Sequence, residues 1–194
     1  KIVLQSRRNY WDDIWRLNVL KSAVDNVMEY GRDPYSGSPL LASGIDLRTK
    51  LPVEWKQSFD SEPGAFSDLA FDTGLYLVFD SLSKLTDDPK YTEKVDEIYN
   101  WYLNYGMSDN MLGYWGGHTF INLKTLKPFN AVPNPNTHEF KNTFFYFDPF
   151  YRLNSEKAYK MGMHVWLGHV YDWRTLITNR HAYYTKVHDE SNWE

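Results

Sequence analysis

From Asn9 to Gly31, Trp11, Ile14, Trp15, Val19, Leu20, Val24, Val27 and Met28 recur at helical spacing, and Gly31 offers a stop. The period returns between Ala65 and Leu85 through Phe66, Leu69, Ala70, Leu75, Val78, Phe79 and Leu82, with Gly74 a candidate for close packing. An Asp-Asp-Pro linker then opens a helix from Pro89 to Tyr105, because proline suits a first helical turn. Asn154 and Ser155 can cap a last helix from Glu156 to Trp173.

Between these helices the pattern breaks. Residues 32–64 are dense in turn signals, with a short hairpin predicted from Ile45 to Trp55. The stretch from Gly106 to Asn142 is rich in Gly, Pro and Asn and reads as strand or loop. The expectation is a mainly α fold: helical hairpins stacked as in an α/α toroid, here an incomplete barrel of antiparallel hairpins with long loops and short strands. Loops at one rim of such a stack build a cleft. A closed toroid of about six or seven hairpins needs far more chain, so residues 1–194 are expected to form one domain that is part of a larger catalytic toroid.

Charge and composition narrow the function classes. A net charge of −4 lacks the basic excess that nucleic-acid binding requires. No run approaches the roughly 18 apolar residues of a membrane span, so no membrane partner is expected. With no cysteine, any metal must be held by His, Asp or Glu. Aromatics make up 18% of the chain, with 15 Tyr, 11 Phe and 8 Trp; such rings stack on sugars, but they also fill cores.

The most reactive side chains lie outside the helical periods, in Trp115-Gly116-Gly117-His118, Thr137-His138-Glu139 and Asn179-Arg180-His181-Ala182-Tyr183-Tyr184. Two imidazoles and a carboxylate suit a divalent ion with open positions. Scattered histidines are also commonly hydrogen-bonded parts of a fold. His164 and His169, five positions apart on one helix, read as packing residues, and Asp172 with Arg174 as an ordinary ion pair. His138, next to Glu139, either orients a ligand or lies at the surface, and it stands among the substrate-binding candidates. Tyr114 and Trp115 are candidate sugar platforms, as are Trp166 and Trp173, which are expected to face the core. Lys141 and Lys124 are candidates for a uronate carboxylate.

The order His, Glu, Arg-His, with 21 positions from His118 to Glu139 and 42 from Glu139 to His181, resembles the pattern of polysaccharide lyase family 2, pectate lyases with an α/α toroid. The resemblance covers Trp115 to Tyr184. It implies His118, Glu139 and His181 as ligands of a divalent transition metal, manganese first, with zinc, nickel or cobalt as alternatives. It also implies Arg180 as the base. In β-elimination the base removes the C5 proton of a uronate and the C4 oxygen departs. Because a guanidinium with a pKa above about 12 resists deprotonation, Tyr183 or Tyr184 is the competing acid or base, with Arg180 then pairing with a substrate carboxylate. The implied substrate is an acidic polysaccharide or oligosaccharide, pectate or polygalacturonate. Ulvan, alginate or glucuronan lyases and a non-catalytic carbohydrate-binding scaffold are the alternatives. A periplasmic or secreted location fits such a substrate, and further chain would complete the toroid.

Overall fold

The structure, a computed structural model, describes residues 2–56, 62–117, 119–130, 137–140 and 146–184, with side chains from residue 12 onward. Five helices and seven short strands occur among them: α1 (Ile2–Tyr30), β1 (Phe66–Ser67), α2 (Thr73–Thr86), α3 (Lys90–Tyr105), β2 (Thr119–Asn122), β3 (Lys127–Asn130), β4 (Thr137–Glu139), α4 (Asp148–Leu153), α5 (Ser155–His169), β5 (Val170–Asp172), β6 (Ile177–Thr178) and β7 (His181–Tyr183). The mainly α expectation holds at that level.

Helix α1 ends where its glycine stands. The Gly31 N–H donates to Val27 O at 2.8 Å, and a Cβ at Gly31 would meet that same carbonyl at 2.6 Å, so any larger residue would have to displace the last turn. Helices α2 and α3 form an antiparallel hairpin whose tight link places Asp87 at φ 58° and lets Ser83 Oγ accept the Thr92 N–H. Their shared face is aromatic: Tyr76, Phe79, Tyr91, Tyr99 and Tyr102 are fully buried. Edge contacts link Tyr76 to Tyr99 and Phe79 to Tyr91.

Helix α4 extends this core. Phe150 lies 4.6 Å from the Tyr99 ring, and Arg152 donates to the buried Asp80 carboxylate at 2.7 Å while also pairing with Asp96. At six residues, α4 is too short to show a period, although Asp148-Pro149 is a legible helix start. Helix α5 begins as predicted, with the Asn154 side chain accepting the Lys157 N–H.

Two helices are shorter than predicted. The segment before α2 is pulled into a sheet, where Phe66 and Ser67 pair with Asn122 and Ile121 of β2. Asp68 then takes the Ala70 and Phe71 N–H groups on its side chain, offering the backbone an alternative to the helix. At the other end, α5 stops at His169 rather than Trp173 because the chain turns into a β5–β6 ladder, Val170 facing Thr178. The Ile45–Trp55 hairpin is present as an Ile45↔Pro52 bridge. Gly74 is not a close packing point, since a Cβ there would meet nothing within 4 Å.

Candidate active site on the β4–β7 ladder

Strand β4 pairs antiparallel with β7, Thr137 facing Tyr183, His138 facing Ala182 and Glu139 facing His181. The Phe140 N–H donates to Arg180 O at 2.7 Å, which puts the ladder's hydrogen bond at the next pair along. Glu139 and His181 are therefore a non-hydrogen-bonded pair, the kind whose side chains approach most closely, with Cα atoms about 4.5 Å apart. Strand alternation sends Glu139, His181 and Tyr183 to one face of the ladder and His138, Ala182 and Tyr184 to the other.

The Glu139 carboxylate is 3% exposed and held at both oxygens. Oε2 accepts the Gly117 N–H at 2.6 Å. Oε1 accepts from Arg180 Nε at 2.7 Å and from Arg180 Nη2. Arg180 lies in the bend before β7, outside strand alternation, so its side chain can return to the Glu139 side. Its side chain is 62% exposed, so one end of the guanidinium is anchored while the rest faces solvent.

Glycine at 117 ties a third segment to this carboxylate. Its neighbour Gly116 donates to Asp68 Oδ1 at 3.1 Å, so the two consecutive amides before His118 are gripped by two carboxyl groups from different parts of the chain. His118 itself lies outside the described residues, as does Lys141. Among the described residues no three His, Cys, Asp or Glu side chains cluster. Of the expected ligand set, Glu139 and His181 are paired across the ladder, and Gly117, the residue before His118, donates to the Glu139 carboxylate.

A model of the periplasmic pectate lyase family matches residues 38–194. The chain belongs to that family. It is also 31% identical over 187 residues to a protein of Dickeya dadantii (strain 3937) described as a pectate disaccharide-lyase, an alignment that takes in 96% of this chain and 34% of that relative. This pectate lyase family chain thus spans about a third of the length of the curated relative it matches. The family description agrees with a periplasmic or secreted location, and among the described residues no helix is long and apolar enough to cross a membrane.

Of the other predicted residues of this family member, some are buried and some exposed. Trp115 is 4% exposed, with Phe150 stacked on it at 5.9 Å and Tyr102 and His138 against its edges. Tyr114 is half-buried and packs its ring against Tyr184 at 4.9 Å. Tyr184 is buried, donates its hydroxyl to Gly113 O, and has its pKa raised by burial. Tyr183, on the Glu139 face, is 48% exposed. Trp166, expected in the core, is 46% exposed and meets Trp173 edge-on, on the face of α5 turned away from the core. Lys124 is exposed and paired with Glu54 at 2.6 Å. Asp172 and Arg174 form the expected surface pair.

His138 is neither at the surface nor beside the Glu139 carboxylate. It is 3% exposed, with Nδ1 2.7 Å from His169 Nε2. Burial first, then the His169 charge, lowers its pKa to about 3, so the ring is neutral at ordinary pH. His169 is a buried packing residue, as expected, and it also bonds Asn179 O through Nδ1 at 2.8 Å. Neither Asn179 nor Asp68 is evident as a site residue from sequence; the one available signal is that Asn179 directly precedes Arg180-His181.

Asp68 supports the site from beneath. Burial, helped by the Asp72 charge, outweighs the pull of the Gly116, Phe71 and Ala70 N–H donors and leaves its carboxyl at about 8. With Oδ1 taken by those donors and Oδ2 without a hydrogen-bond partner among the described residues, the proton belongs on Oδ2. A folded-state pKa above the unfolded one means the native state holds an extra proton between about pH 4 and 8. Its contribution is greatest below pH 4 and declines as pH rises to 8. Asp68→Asn keeps the carbonyl acceptor and removes the titration. The variant is expected to be more stable than wild type at pH 8, by at least about 1 kcal/mol, with a flatter melting profile from pH 4 to 8. A profile as steep as wild type would contradict this.

Proposed function

We infer that the protein acts as a polysaccharide lyase on pectate-like galacturonan, by metal-assisted β-elimination, within an α/α toroid of which the α2–α3 and α4–α5 pairs are two hairpins. The observation that supports this most is the meeting of Glu139, Arg180 and His181 on one face of the β4–β7 ladder, with Gly117 bonding the same carboxylate. The pectate substrate rests on the family and on the Dickeya dadantii relative's description.

His118, Glu139 and His181 would hold a divalent transition metal, manganese first among the candidates, which when bound supplies a Lewis acid for the uronate carboxylate. Arg180 would take the C5 proton, a role supported by a guanidinium that is anchored from one side and largely open to solvent. As the C5–H bond breaks, its electrons form the C4=C5 double bond, the C4–O bond cleaves, and the departing oxygen is protonated by solvent or by Tyr183. In this reading the Glu139 carboxylate, which accepts from Arg180 here, would turn to the metal as a ligand and release the guanidinium toward the substrate. Tyr183, exposed on the same face, is the alternative base, and Tyr184 is less suited because its hydroxyl is buried on Gly113 O.

The purified protein with manganese and polygalacturonate is expected to release 4,5-unsaturated product, followed by its ultraviolet absorbance. Ulvan, alginate and glucuronan run in parallel define the substrate, and silence on all four would dispose of the lyase reading. His118→Ala and His181→Ala are each expected to lose stoichiometric metal while keeping the helical circular dichroism. Metal content equal to wild type in both would refute the ligand assignment.

A further inference from the structure

We propose that His169 is a positioning residue, which clamps both main-chain groups of Asn179 and so fixes the turn that presents Arg180 and His181 to Glu139. The site's chemical role rests on the lyase reading above; the clamp itself does not.

The His169 carbonyl accepts the Asn179 N–H at 2.6 Å, extending the β5–β6 ladder by one pair. The His169 ring then reaches the other main-chain group, with Nδ1 2.8 Å from Asn179 O. A carbonyl only accepts, so Nδ1 carries the hydrogen, and in the neutral ring Nε2 is the lone pair. The 2.7 Å contact from His138 Nδ1 to that Nε2 is therefore donated by His138. Both tautomers follow from geometry: His138 Nδ1–H to His169 Nε2, and His169 Nδ1–H to Asn179 O.

Asn179 passes this order on. Because Glu139 and His181 are the non-hydrogen-bonded pair, the His181 N–H points away from β4 and needs another acceptor. Asn179 Oδ1 supplies it at 3.1 Å. One residue along, Arg180 O takes the Phe140 N–H.

Among the described residues, the turn is otherwise held by the Arg180–Glu139 contacts and the Phe140 N–H to Arg180 O bond of a two-stranded ladder. Strand β6 has two exposed residues, Asn179 and Arg180 are exposed, and a two-stranded ladder alone is marginal in water. His169, by contrast, is 2% exposed at the end of α5, with the His138 and Phe140 rings 5.0 and 5.2 Å away. The clamp joins the exposed turn to the buried body.

Two amides separate this from simple packing. The amide nitrogen of Asn can stand where imidazole Nδ1 stands, so His169→Asn keeps the donor to Asn179 O. His169→Gln reaches the Nε2 position and keeps only the link to His138. Amide hydrogen exchange in the full protein, without metal or substrate, is expected to speed up at least tenfold at Phe140 and His181 in His169→Gln, and less than threefold in His169→Asn. On polygalacturonate with manganese, His169→Gln is expected to lose at least tenfold in kcat with KM within twofold. Unchanged protection of those amides in His169→Gln, or equal loss in both variants, overturns the clamp. Should His169→Gln fail to fold, imidazole 15N NMR of the wild type serves: His169 is expected to carry its proton on Nδ1, toward Asn179 O, and an unprotonated Nδ1 overturns the clamp. The predicted exchange pattern in a wild type inactive on every uronate polymer would remove the lyase reading and leave the clamp standing.

Discussion

Glu139→Ala is expected to lower kcat/KM on polygalacturonate by at least about a thousandfold, with the fold intact. Catalytic electrostatic contacts cost about 10²–10³-fold when one donor is lost, and this carboxylate accepts from the Gly117 amide and the Arg180 guanidinium, opposite His181 in the ladder. Removing it frees the amide that restrains the approach to His118 and leaves Arg180 without its anchor. The stability cost is small, about 1–2 kcal/mol for the buried amide left unpaired, since Arg180 is mostly solvated and a screened pair contributes little. Glu139→Gln retains an acceptor for Gly117 but no charge, and is expected to fall between the two. A Glu139→Ala enzyme within tenfold of wild type would show that the carboxylate is structural and that the chemistry lies elsewhere.

Trp115→Ala is expected to destabilise the protein by about 3–5 kcal/mol, the range for truncating a large buried aromatic. Trp115 is stacked on Phe150 and edge-on to Tyr102 and His138, so it joins the α3–α4 core to the ladder that bears the site. It is also packed tightly from below, because a Cβ at Gly113 would run into the indole. Urea unfolding measures the loss, and Trp115→Phe is expected to recover part of it. Were Trp115 instead a sugar platform, Trp115→Ala would raise KM and leave the unfolding midpoint nearly unchanged; that result would contradict its placement in the core.

Helix α3 was legible because sixteen residues with a consistent apolar face leave one solution for burial; the start of α5 was legible from its Asn154 cap, and α1 from its helical spacing, although Trp15, Val19 and Leu20 of that spacing are exposed. Prediction failed where a local polar group or a distant strand competed with the period. Asp68 captured two N–H groups that a longer α2 would have used, and Asn179 drew the end of α5 into a ladder. Both outcomes depend on partners far along the chain, Asn122 and Ile121 for the segment before Asp68, which no window of a dozen residues contains.

Sequence by itself determined the family pattern His118, Glu139, Arg180-His181 and the mainly α character, since spacing and hydrophobic period are one-dimensional properties. Tertiary structure alone decided that Glu139 and His138, neighbours in the chain, do opposite work. Strand alternation turns one toward Arg180 and the other into the interior against His169, and the facing of a three-residue strand is set by what it pairs with rather than by its own residues.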